Sequence, residues 1–532
     1  MKRTLFGYFF FLFCFSQSTN WWIFLNDKSC SESIELSQKS IDRRLSQNIL
    51  FDYHDMPICA EYIDVLKKNN IRIRNQSRWL NAISVTVDSI DVLNDLLTYD
   101  FVKSIRPVAA MKREKQDLSI GTHVDRYKAS RNSSILPYGP SFNQIDMLGG
   151  CDLHNLGFFG DNMLIAIFDA GFIGVETLPI FQNLWDNSQI IDMYDFVDND
   201  NDVFGGSTHG TMVLSTMGGY MSDSLIGTAP EAKYMLFRTE DSNSETLIEE
   251  DNWTAAAEYA DSIGVNIINS SLGYTILYDD TLNSHSYIDM DGNSTIITIA
   301  ADLAASRGIL VVNSAGNSGN NNWYYIGAPA DGDSVLSVGA VNNVGQIASF
   351  SSRGPSYDGR IKPNVCAQGV NAIVSDMDST IRLASGTSFS SPIIAGLSAC
   401  LWGALEGSDV NINNMDIFDL IQESAHIFNN PNDSLGYGIP NFYQAYLNGL
   451  NMFERENDVI IEVFPNPFQE VFSCFNSSNM KIEIDIFNIM GLCIFSKEID
   501  IGKNSINLSH IDSGLYFIKE RNRFGFYPIV KM

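Results

Sequence analysis

Five short blocks of the sequence combine glycine with a side chain or backbone turn suited to covalent catalysis. Three of them carry a carboxylate, an imidazole and a hydroxyl group, at Asp169, His209 and Ser388. A serine hydroxyl is a weak nucleophile until a base removes its proton, and imidazole can do this near neutral pH. The other two blocks are Ser271-Leu272-Gly273 and Ser314-Ala315-Gly316-Asn317. These residue types indicate nucleophilic catalysis by a serine side chain.

Short apolar strands precede three of these blocks. They are Met163–Phe168, Val265–Ser270 and Ile309–Asn313, and helical stretches separate them. This alternation predicts an α/β fold with a parallel sheet and helices on both faces. Functional groups gather beyond the carboxyl ends of parallel strands, so we expect the blocks to meet at one edge of the sheet. Ser388 begins an apolar helix, whose free N–H groups suit a developing oxyanion.

Taken together, the blocks resemble the catalytic motifs of the subtilisin-like serine peptidases, in that family's order Asp, His, Ser. The motifs are Asp169-Ala170-Gly171, His209-Gly210-Thr211, Ser314-Ala315-Gly316-Asn317, Phe350–Pro355 and Gly386–Pro392. The resemblance implies a secreted serine endopeptidase that works through an acyl-enzyme. It makes His209 the general base and then the acid, and Asp169 the group that orients the imidazole. Asn317 matches the family's oxyanion donor, acting with the backbone N–H of Ser388.

The resemblance also assigns substrate contacts. Ser271, Leu272 and Gly273 would pair with an extended peptide as an added strand, and Ser314, Ala315 and Gly316 would line the primary specificity pocket. Ala170 departs from the family, which has Ser or Thr there, and Asn364 and Gln368 replace an Asp and a Pro. We expect modest effects on activity or stability. The alternative function is a catalytically weak or inactive relative that binds peptides or serves in surface adhesion.

Shifts in composition divide the 532 residues into several segments. With 45% hydrophobic and 18% charged residues, the chain can fold but is too long for one core. We predict a subtilisin-like peptidase domain, preceded by a small α+β propeptide and followed by a small all-β sandwich. The predicted boundaries are a signal peptide at 1–18, the propeptide at 19–115, a linker with the processing site at 116–137, the peptidase domain at 138–450 and the sandwich at 458–532.

The flanking segments suggest export and inhibition. A basic start and a short apolar run within 1–18 are typical of a secretory signal peptide, with an uncleaved membrane anchor as the alternative. Residues 19–115 resemble the inhibitory propeptide of subtilisin-type precursors; a permanent N-terminal domain is the alternative. Val463–Phe468 and Ser513–Ile518 resemble the C-terminal sorting domain of type IX secretion, and the alternative is a carbohydrate-binding or stabilising sandwich. The expected partners are polypeptide substrates, the chain's own propeptide and the secretion machinery, at a secreted or cell-surface location.

Charge and cysteine content limit other functions. A net charge of −29 disfavours nucleic acid and anionic membranes, which require clustered Lys and Arg. The apolar run Ile393–Leu405 carries two glycines and is interpreted as a buried core helix, not a stable transmembrane segment. Cys14 leaves with the signal peptide, and the odd number of remaining cysteines implies a free thiol. We expect no cofactor for the chemistry. The acidic run Phe196–Gly206 is interpreted as a solvated loop, with structural calcium as the alternative.

Overall fold

The computed structural model describes most of the chain, in two compact units that divide after Asn448. The described residues are 19–29, 36–89, 91–108, 119–123, 135–242, 248–275, 285–377, 380–408, 412–457, 461–476, 481–489, 491–521 and 527–532. The predicted signal peptide and most of the predicted linker lie outside them.

The N-terminal part of the first unit is a small α+β fold. Its elements are β1 (Thr19–Leu25), α1 (Gln38–Ser46), α2 (Ala60–Lys68), β2 (Arg72–Ser77), β3 (Ala82–Val87), α3 (Asp91–Leu96) and β4 (Val102–Val108), followed by a short strand β5 (Ser119–His123). The antiparallel sheet has the order β2-β3-β1-β4. On one face, Leu66 of α2 and Leu96 of α3 pack on strand residues such as Ile23. On the other face, Trp22 packs beside Ile248 and Ile296.

A seven-stranded sheet lies at the centre of the first unit. Its strands are β6 (Leu164–Asp169), β7 (Ile190–Asp195), β10 (Lys233–Arg238), β11 (Ile267–Ser270), β12 (Leu310–Ser314), β13 (Val335–Val341) and β14 (Val365–Gln368). Strands β8 (Tyr220–Met221) and β9 (Leu225–Ile226) form a separate hairpin. The order is β14-β13-β12-β11-β6-β10-β7, and every pairing is parallel. The predicted parallel sheet is therefore confirmed.

Helices cover both faces of this sheet. The helices of this part of the chain are α4 (Phe142–Asp146), α5 (Gly150–Asn155), α6 (Gln182–Asp186), α7 (His209–Gly218), α8 (Ile248–Ile263), α9 (Ile296–Ser306), α10 (Thr387–Glu406), α11 (Asn414–Glu423) and α12 (Phe442–Asn457). Those that contact the sheet strands include α7, α8, α9, α10 and α11. Leu164, Ala166 and Phe168 of β6 pack in one core with α8 and α9. Because strand side chains alternate, Ile165 and Ile167 face the opposite layer, which α7 and α10 form.

Helix α10 is the one helix in the described part of the chain that is long and apolar enough to cross a membrane by length and composition. Its most apolar window is 94% buried within the protein. It contacts β11, β12, β13 and β14 along its length. The interpretation of Ile393–Leu405 as a core helix agrees with this burial.

A second, three-stranded sheet lies next to the start of α10. It contains β15 (Ala372–Ser375), β16 (Ile381–Ser385) and β5, in the order β15-β16-β5, with antiparallel pairing throughout. The sequence around β5 is polar and has no strand periodicity, so we expected an exposed linker there. The strand forms because the backbone of β16 offers it a partner, which a local pattern does not reveal.

The second unit is all-β. Its strands are β17 (Ile461–Phe464), β18 (Val471–Asn476), β19 (Ile482–Asn488), β20 (Cys493–Ile499), β21 (Gly502–Asn507), β22 (Gly514–Glu520) and β23 (Tyr527–Lys531). They form two antiparallel sheets, β17-β18-β21 and β20-β19-β22-β23. Ile482, Ile484 and Ile486 alternate along β19 and enter a common core with Phe472 and Ile518. The strict alternation of apolar and polar residues along this strand gives it one buried face.

Candidate active site

The carboxylate of Asp169 and the imidazole of His209 form a hydrogen-bonded pair. Asp169 is the last residue of β6 and is fully buried, and His209 is the first residue of α7. His209 Nδ1 lies 2.8 Å from Oδ1 and 2.9 Å from Oδ2 of Asp169. Because an ionised carboxylate only accepts hydrogen bonds, Nδ1 is the donor and Nε2 remains a proton acceptor. The pair thus selects the imidazole tautomer that a general base requires.

Gly171 and Gly210 let the turn after β6 and the start of α7 approach each other closely. Gly171 has φ of +137°, and a Cβ there would lie 2.0 Å from the carbonyl oxygen of Gly205, so a larger residue does not fit. The backbone N–H of Gly210 donates to the carbonyl of Gly171 at 3.1 Å, which joins the turn after β6 to the start of α7. Ala170 lacks the family's hydroxyl, but its backbone N–H donates to Oδ1 of Asp169 at 2.7 Å.

Ser388 is the second residue of α10, and the residue after it lies close to the imidazole. The ring of the next residue, Phe389, has its centroid 5.9 Å from that of His209. Ser388 Oγ donates to the carbonyl of Ser271 at 3.4 Å, and Ser271 Oγ donates to the carbonyl of Ser388 at 2.9 Å. Among the described contacts the serine hydroxyl is not bonded to His209. Such bonds often form only when substrate binds, and rotation of the Ser388 side chain would release its contact with Ser271.

Two N–H donors converge next to this serine. Oδ1 of Asn317 accepts from Thr387 N at 2.9 Å and from Thr387 Oγ1 at 3.0 Å, so its amide nitrogen points elsewhere. A Cβ on Gly386 would lie 3.6 Å from Asn317 Nδ2 and 3.7 Å from Ser388 N. Both donors therefore approach one point in front of the helix N-terminus, where backbone N–H groups lack intrahelical partners. Two N–H donors that approach one point are what an oxyanion hole requires.

Filling that point should reduce catalysis without unfolding the protein. Gly386→Ala places a methyl group between the two donors, and the nearest atoms to it would be at ordinary contact distances of 3.6 to 3.8 Å. Gly386 has an extended φ of 162°, which alanine adopts freely. We expect kcat to fall by roughly 10², with KM and the melting temperature little changed. Steady-state hydrolysis of a peptide substrate measures this. Gly403→Ala, on the same helix with its nearest neighbour 3.5 Å away, should leave kcat unchanged.

The predicted substrate segment lies between the nucleophile and β12. Leu272 O accepts from Asn313 Nδ2 at 3.0 Å and from Ser314 Oγ at 3.3 Å, so this carbonyl is already used. Gly273 is exposed. Tyr274 then pairs with Ala328 through two backbone hydrogen bonds of 2.9 and 3.0 Å. The segment is thus held on both sides of its exposed glycine.

The residues of the predicted specificity pocket are less exposed to solvent than Gly273. Ala315 is fully buried against Ile326 and Ala330. Gly316 N donates to the hydroxyl of Thr387 at 3.2 Å. Sequence reasoning did not single out Thr387 or Asn313, which donate hydrogen bonds to Asn317 and to the carbonyl of Leu272. The available signals were a hydroxyl directly before the nucleophile and a polar residue ending an apolar strand.

Carboxylates within and next to the acidic run Phe196–Gly206 accept hydrogen bonds from nearby protein groups. Asp195, just before it, accepts from the backbone N–H groups of Val197 and Asp198 at 2.8 and 3.0 Å. Arg238 donates to Asp195 at 2.6 Å and to Asp198 at 2.7 Å. The described residues contain no group of three or more His, Cys, Asp or Glu side chains suited to a metal ion. The interpretation of a solvated acidic loop, and its calcium alternative, stay predictions.

The described cysteines comprise one disulfide-bonded residue and five free thiols. Cys59 is disulfide-bonded. The free thiols are Cys151, Cys366, Cys400, Cys474 and Cys493. The odd cysteine count therefore leaves free thiols, as expected.

Asn364, one of the departures from the family, contacts the buried side chain of Lys362. Lys362 is only 2% exposed and donates to the carbonyls of Gly332 and Val335, both at 2.8 Å, and to Asn364 Oδ1 at 3.0 Å. All three partners are neutral. Burial lowers the pKa of Lys362 from its ordinary value of 10.5 to about 7. The unfolded chain therefore binds more protons between these values, and this group makes the protein more stable as the pH rises from about 7 to about 10.5.

A carboxylate at position 364 should reverse this dependence. Asn364→Asp places a negative charge about 3.0 Å from Lys362 Nζ, which raises the pKa of the lysine and stabilises its charged form. We expect the free energy of unfolding at pH 7 to rise by roughly 1.5 kcal/mol. The gain should shrink toward pH 10, because the wild type becomes more stable over this pH range whereas the variant, whose folded-state lysine keeps its proton, does not. Urea unfolding at both pH values tests this. Asn430→Asp, an exposed control with the same charge change, should have little effect.

Three family models match separate parts of the chain. Residues 160–439 match the subtilase family, residues 20–120 match the peptidase S8 propeptide domain of Bacteroidota, and residues 462–525 match the secretion system C-terminal sorting domain. The first match covers slightly more than half of the 532 residues. It includes Asp169, His209, Asn317 and Ser388.

Curated and solved relatives agree with these matches. Subtilisin E of Bacillus subtilis (strain 168) is 27% identical over 346 residues, covering 64% of this chain and 76% of that protein. The thermophilic serine proteinase of Bacillus sp. (strain AK1) is 30% identical over 261 residues, covering 49% and 57%. The crystal structure of fervidolysin from Fervidobacterium pennivorans has a TM-score of 0.56 at 20% identity, covering 94% and 70%, which supports the fold. The chain therefore belongs to the subtilase family, as an exported serine endopeptidase with an S8-type propeptide and a C-terminal sorting domain.

Proposed function

We propose that Asp169, His209 and Ser388 form the catalytic triad of a self-processing endopeptidase. The observation that best supports this is the Asp169–His209 pair, with contacts of 2.8 and 2.9 Å. Ser388 lies at a helix N-terminus, and the next residue of that helix, Phe389, packs against His209. The two N–H donors that converge beside Ser388 add a site for the negative charge of the intermediate. Together these groups supply a nucleophile, a base and an oxyanion hole.

The proposed reaction has two steps. Ser388 Oγ attacks the carbonyl carbon of the scissile peptide bond while His209 Nε2 takes its proton. Asn317 Nδ2 and the backbone N–H of Ser388 hold the oxyanion, and the C–N bond then breaks as the imidazolium protonates the leaving amine. Water, deprotonated by the same imidazole, hydrolyses the acyl-enzyme ester. Side chains and water supply every step, so we retain the prediction that the chemistry needs no cofactor.

Polypeptides are the substrates, and we propose that they bind in extended form beside Ser271–Gly273. The exposed Gly273 leaves its backbone open, whereas the neighbouring carbonyl of Leu272 is held by Asn313 and Ser314. A peptide that pairs with this segment would present backbone groups in regular spacing and leave its side chains to select the pocket. Ser314, Ala315 and Gly316 remain the proposed pocket wall.

We propose that residues 19–115 act as an inhibitory propeptide, and a buried charge cluster supports tight docking. Asp261 on α8 is fully buried and accepts from Arg43 at 2.5 Å, Arg44 at 2.7 Å and Arg78 at 2.8 Å. All three arginines belong to the N-terminal α+β fold. Glu258, one turn earlier on α8, also lies in this contact, because the backbone N–H of Arg78 donates to it at 2.9 Å.

Such a cluster would hold the propeptide after its covalent link is cut. Removing the N-terminal fold would take away every arginine partner that Asp261 has in the described structure. Separating ion pairs that exclude water leaves charges to be solvated again, and at an interface this slows dissociation. We also propose the domain boundaries that the sequence predicts: a signal peptide at 1–18, a propeptide at 19–115, a linker at 116–137, a peptidase domain at 138–450 and a sorting domain at 458–532. The last segment acts as the signal for type IX export.

The decisive experiment compares the wild type with Ser388→Ala. The wild-type precursor should shorten and hydrolyse a labelled, unfolded protein, and an active-site serine reagent should stop the hydrolysis. Ser388→Ala should keep its full precursor length and lack activity. Ser398→Ala is the matched control, because Ser398 is buried in the same helix with its hydroxyl bonded to Ile394 O at 2.8 Å. If Ser388→Ala matures and cleaves like the control, Ser388 is not the nucleophile.

A further inference from the structure

Arg238 is a buried cation at the end of β10, beside the strand that carries Asp169. The two residues are partners in the parallel ladder, so their side chains leave the sheet on the same face. The backbone N–H of Thr239 also donates to the carbonyl of Asp169 at 2.9 Å. Arg238 is only 7% exposed and takes no part in the proposed reaction steps. A buried charge therefore lies next to the residue that orients the imidazole.

Both carboxylates that Arg238 binds belong to the chain segment that leads to the catalytic histidine, residues 195–207, which we call the histidine loop. Nη1 of Arg238 lies 2.6 Å from Oδ2 of Asp195 and 2.7 Å from Oδ2 of Asp198. The carbonyl of Arg238 accepts from the backbone N–H of Phe196 at 2.9 Å. Asp195 is buried, whereas the side chain of Asp198 is 64% exposed. The start of the histidine loop is thus attached to β10 by side-chain and backbone contacts of one residue.

The histidine loop also packs closely against the turn that follows β6. The backbone N–H of Phe172 donates to the carbonyl of Val203 at 2.9 Å. A Cβ on Gly206 would lie 2.3 Å from the carbonyl oxygen of Ala170 and 2.9 Å from Nε of Arg238. The backbone at Gly206 therefore fits between the guanidinium group and the turn after β6, with no room for a side chain.

The end of the histidine loop contacts the catalytic imidazole residue through Ser207. The backbone N–H of His209 donates to Ser207 Oγ at 3.1 Å, and the carbonyl of Ser207 accepts from Ile173 N at 3.4 Å. Thr211 Oγ1, on the first turn of α7, donates to the carbonyl of Ile173 at 2.8 Å. A displacement of the loop relative to the turn after β6 would therefore move the imidazole relative to Asp169.

We propose that Arg238 is a positioning residue for catalysis, an inference that rests on the proposed triad. It holds the histidine loop against the turn after β6 and so fixes the position of His209 relative to Asp169. The rigid guanidinium group suits this task better than an ammonium group, which binds as a point charge on a flexible stem. Misplacing a catalytic group by about 1 Å lowers the rate by roughly 10², so a loose loop would slow turnover.

A role in stability alone would have a different kinetic signature. A protein that is merely less stable contains fewer active molecules, but each of them turns over at the normal rate. A displaced imidazole instead slows every molecule and leaves substrate binding unchanged. The value of kcat per active site distinguishes these cases when the sites are counted by titration to completion with a serine reagent.

Replacing Arg238 in the full-length, secreted and matured protein tests the inference. Arg238→Met removes the charge and keeps the apolar stem. We expect kcat per active site on a labelled peptide to fall by roughly 10- to 10²-fold, with KM changed by less than about twofold. Arg238→Lys, which restores a cation, should recover part of the loss. Arg360→Met is the matched control, because Arg360 also binds two carboxylates, Asp333 at 2.9 Å and Asp358 at 2.7 Å, and should keep wild-type kcat.

Asp198→Asn tests the same contact from its exposed side and decides the question if Arg238→Met does not fold. The side chain of Asp198 is 64% exposed, so this variant should fold normally. It loses one of the two carboxylate contacts, and we expect kcat per active site to fall by roughly threefold with KM unchanged. Asp186→Asn, which changes a carboxylate on α6 that bonds to Gln182, should keep wild-type kcat.

The possible failures of the inference and of the triad differ. Wild-type kcat per active site in Arg238→Met, or in Asp198→Asn where the methionine variant does not fold, overturns the inference while Ser388→Ala remains inactive. The inference also fails if kcat of Arg360→Met falls as far as that of Arg238→Met, since losing any paired arginine would then have this effect. A Ser388→Ala protein with wild-type activity contradicts the triad and removes the inference with it.

Discussion

Replacing Asp169 with Asn should slow turnover by a factor on the order of 10⁴ at neutral pH, the size known for serine proteases that lose this carboxylate, with subtilisin among them. Ala170 N, 2.7 Å from Oδ1, would hold the amide oxygen in that position. The amide NH₂ would then replace Oδ2, 2.9 Å from His209 Nδ1, and donate to it. This places the imidazole proton on Nε2, where it prevents the ring from accepting the proton of Ser388.

The conversion of precursor to mature protein measures this effect in a single turnover, and hydrolysis of a labelled protein measures it again in steady state. KM should change little, because the carboxylate is fully buried and does not contact substrate. Asp186→Asn is the control, since that carboxylate is on exposed helix α6 and bonds to Gln182. Wild-type rates in Asp169→Asn, with the same melting temperature, would show that the Asp169–His209 pair is structural.

Removing the carboxylate of Asp261 should weaken propeptide binding by roughly 10²- to 4 × 10³-fold, which corresponds to the 3–5 kcal/mol typical of a broken buried ion pair. Asp261→Ala leaves Arg43, Arg44 and Arg78 together at the contact without the charge that they share. The cut propeptide should therefore dissociate sooner. Protease activity should appear earlier after the precursor is cleaved, and added salt should shorten the delay less than in the wild type.

The delay between cleavage and activity is the quantity to measure, by parallel gel and substrate assays. The fully matured Asp261→Ala enzyme should have wild-type kcat and KM, because the α8 cluster makes no contact with the catalytic residues in the described structure. Asp261→Asn, which keeps the shape but not the charge, serves where the alanine variant folds poorly. Asp186→Ala is a surface control. An unchanged delay in both Asp261 variants would show that the charge cluster does not hold the propeptide.

The position of the candidate site was predictable from short patterns. Parallel strands bring their carboxyl ends to one edge, so apolar runs followed by Asp169, Ser271 and Ser314 already implied a common site. These features depend on a strand, a turn and their immediate neighbours, which local sequence describes.

The orientation of the reacting groups was not predictable in this way. Thr387 aligns the Asn317 amide across 70 residues of sequence, and Ser388 exchanges hydrogen bonds with Ser271 across 117. The effect of having Asn at position 364 also depends on Lys362, because the buried Nζ of that lysine donates only to neutral oxygens. Such contacts depend on how separate elements pack, and no local pattern encodes that.

The sequence alone determined the fold class, the family resemblance and the identities of the candidate catalytic residues, because strand periodicity, glycine turns and catalytic side-chain types are local properties. Tertiary structure decided how the propeptide-like fold docks and where β5 lies. Asp261 meets arginines from two separate segments more than 180 residues away in the chain. β5 is a strand only because the edge of β16 pairs with it. Both result from surfaces that exist only once the central sheet and its helices have assembled, since burial and backbone pairing are properties of the packed chain.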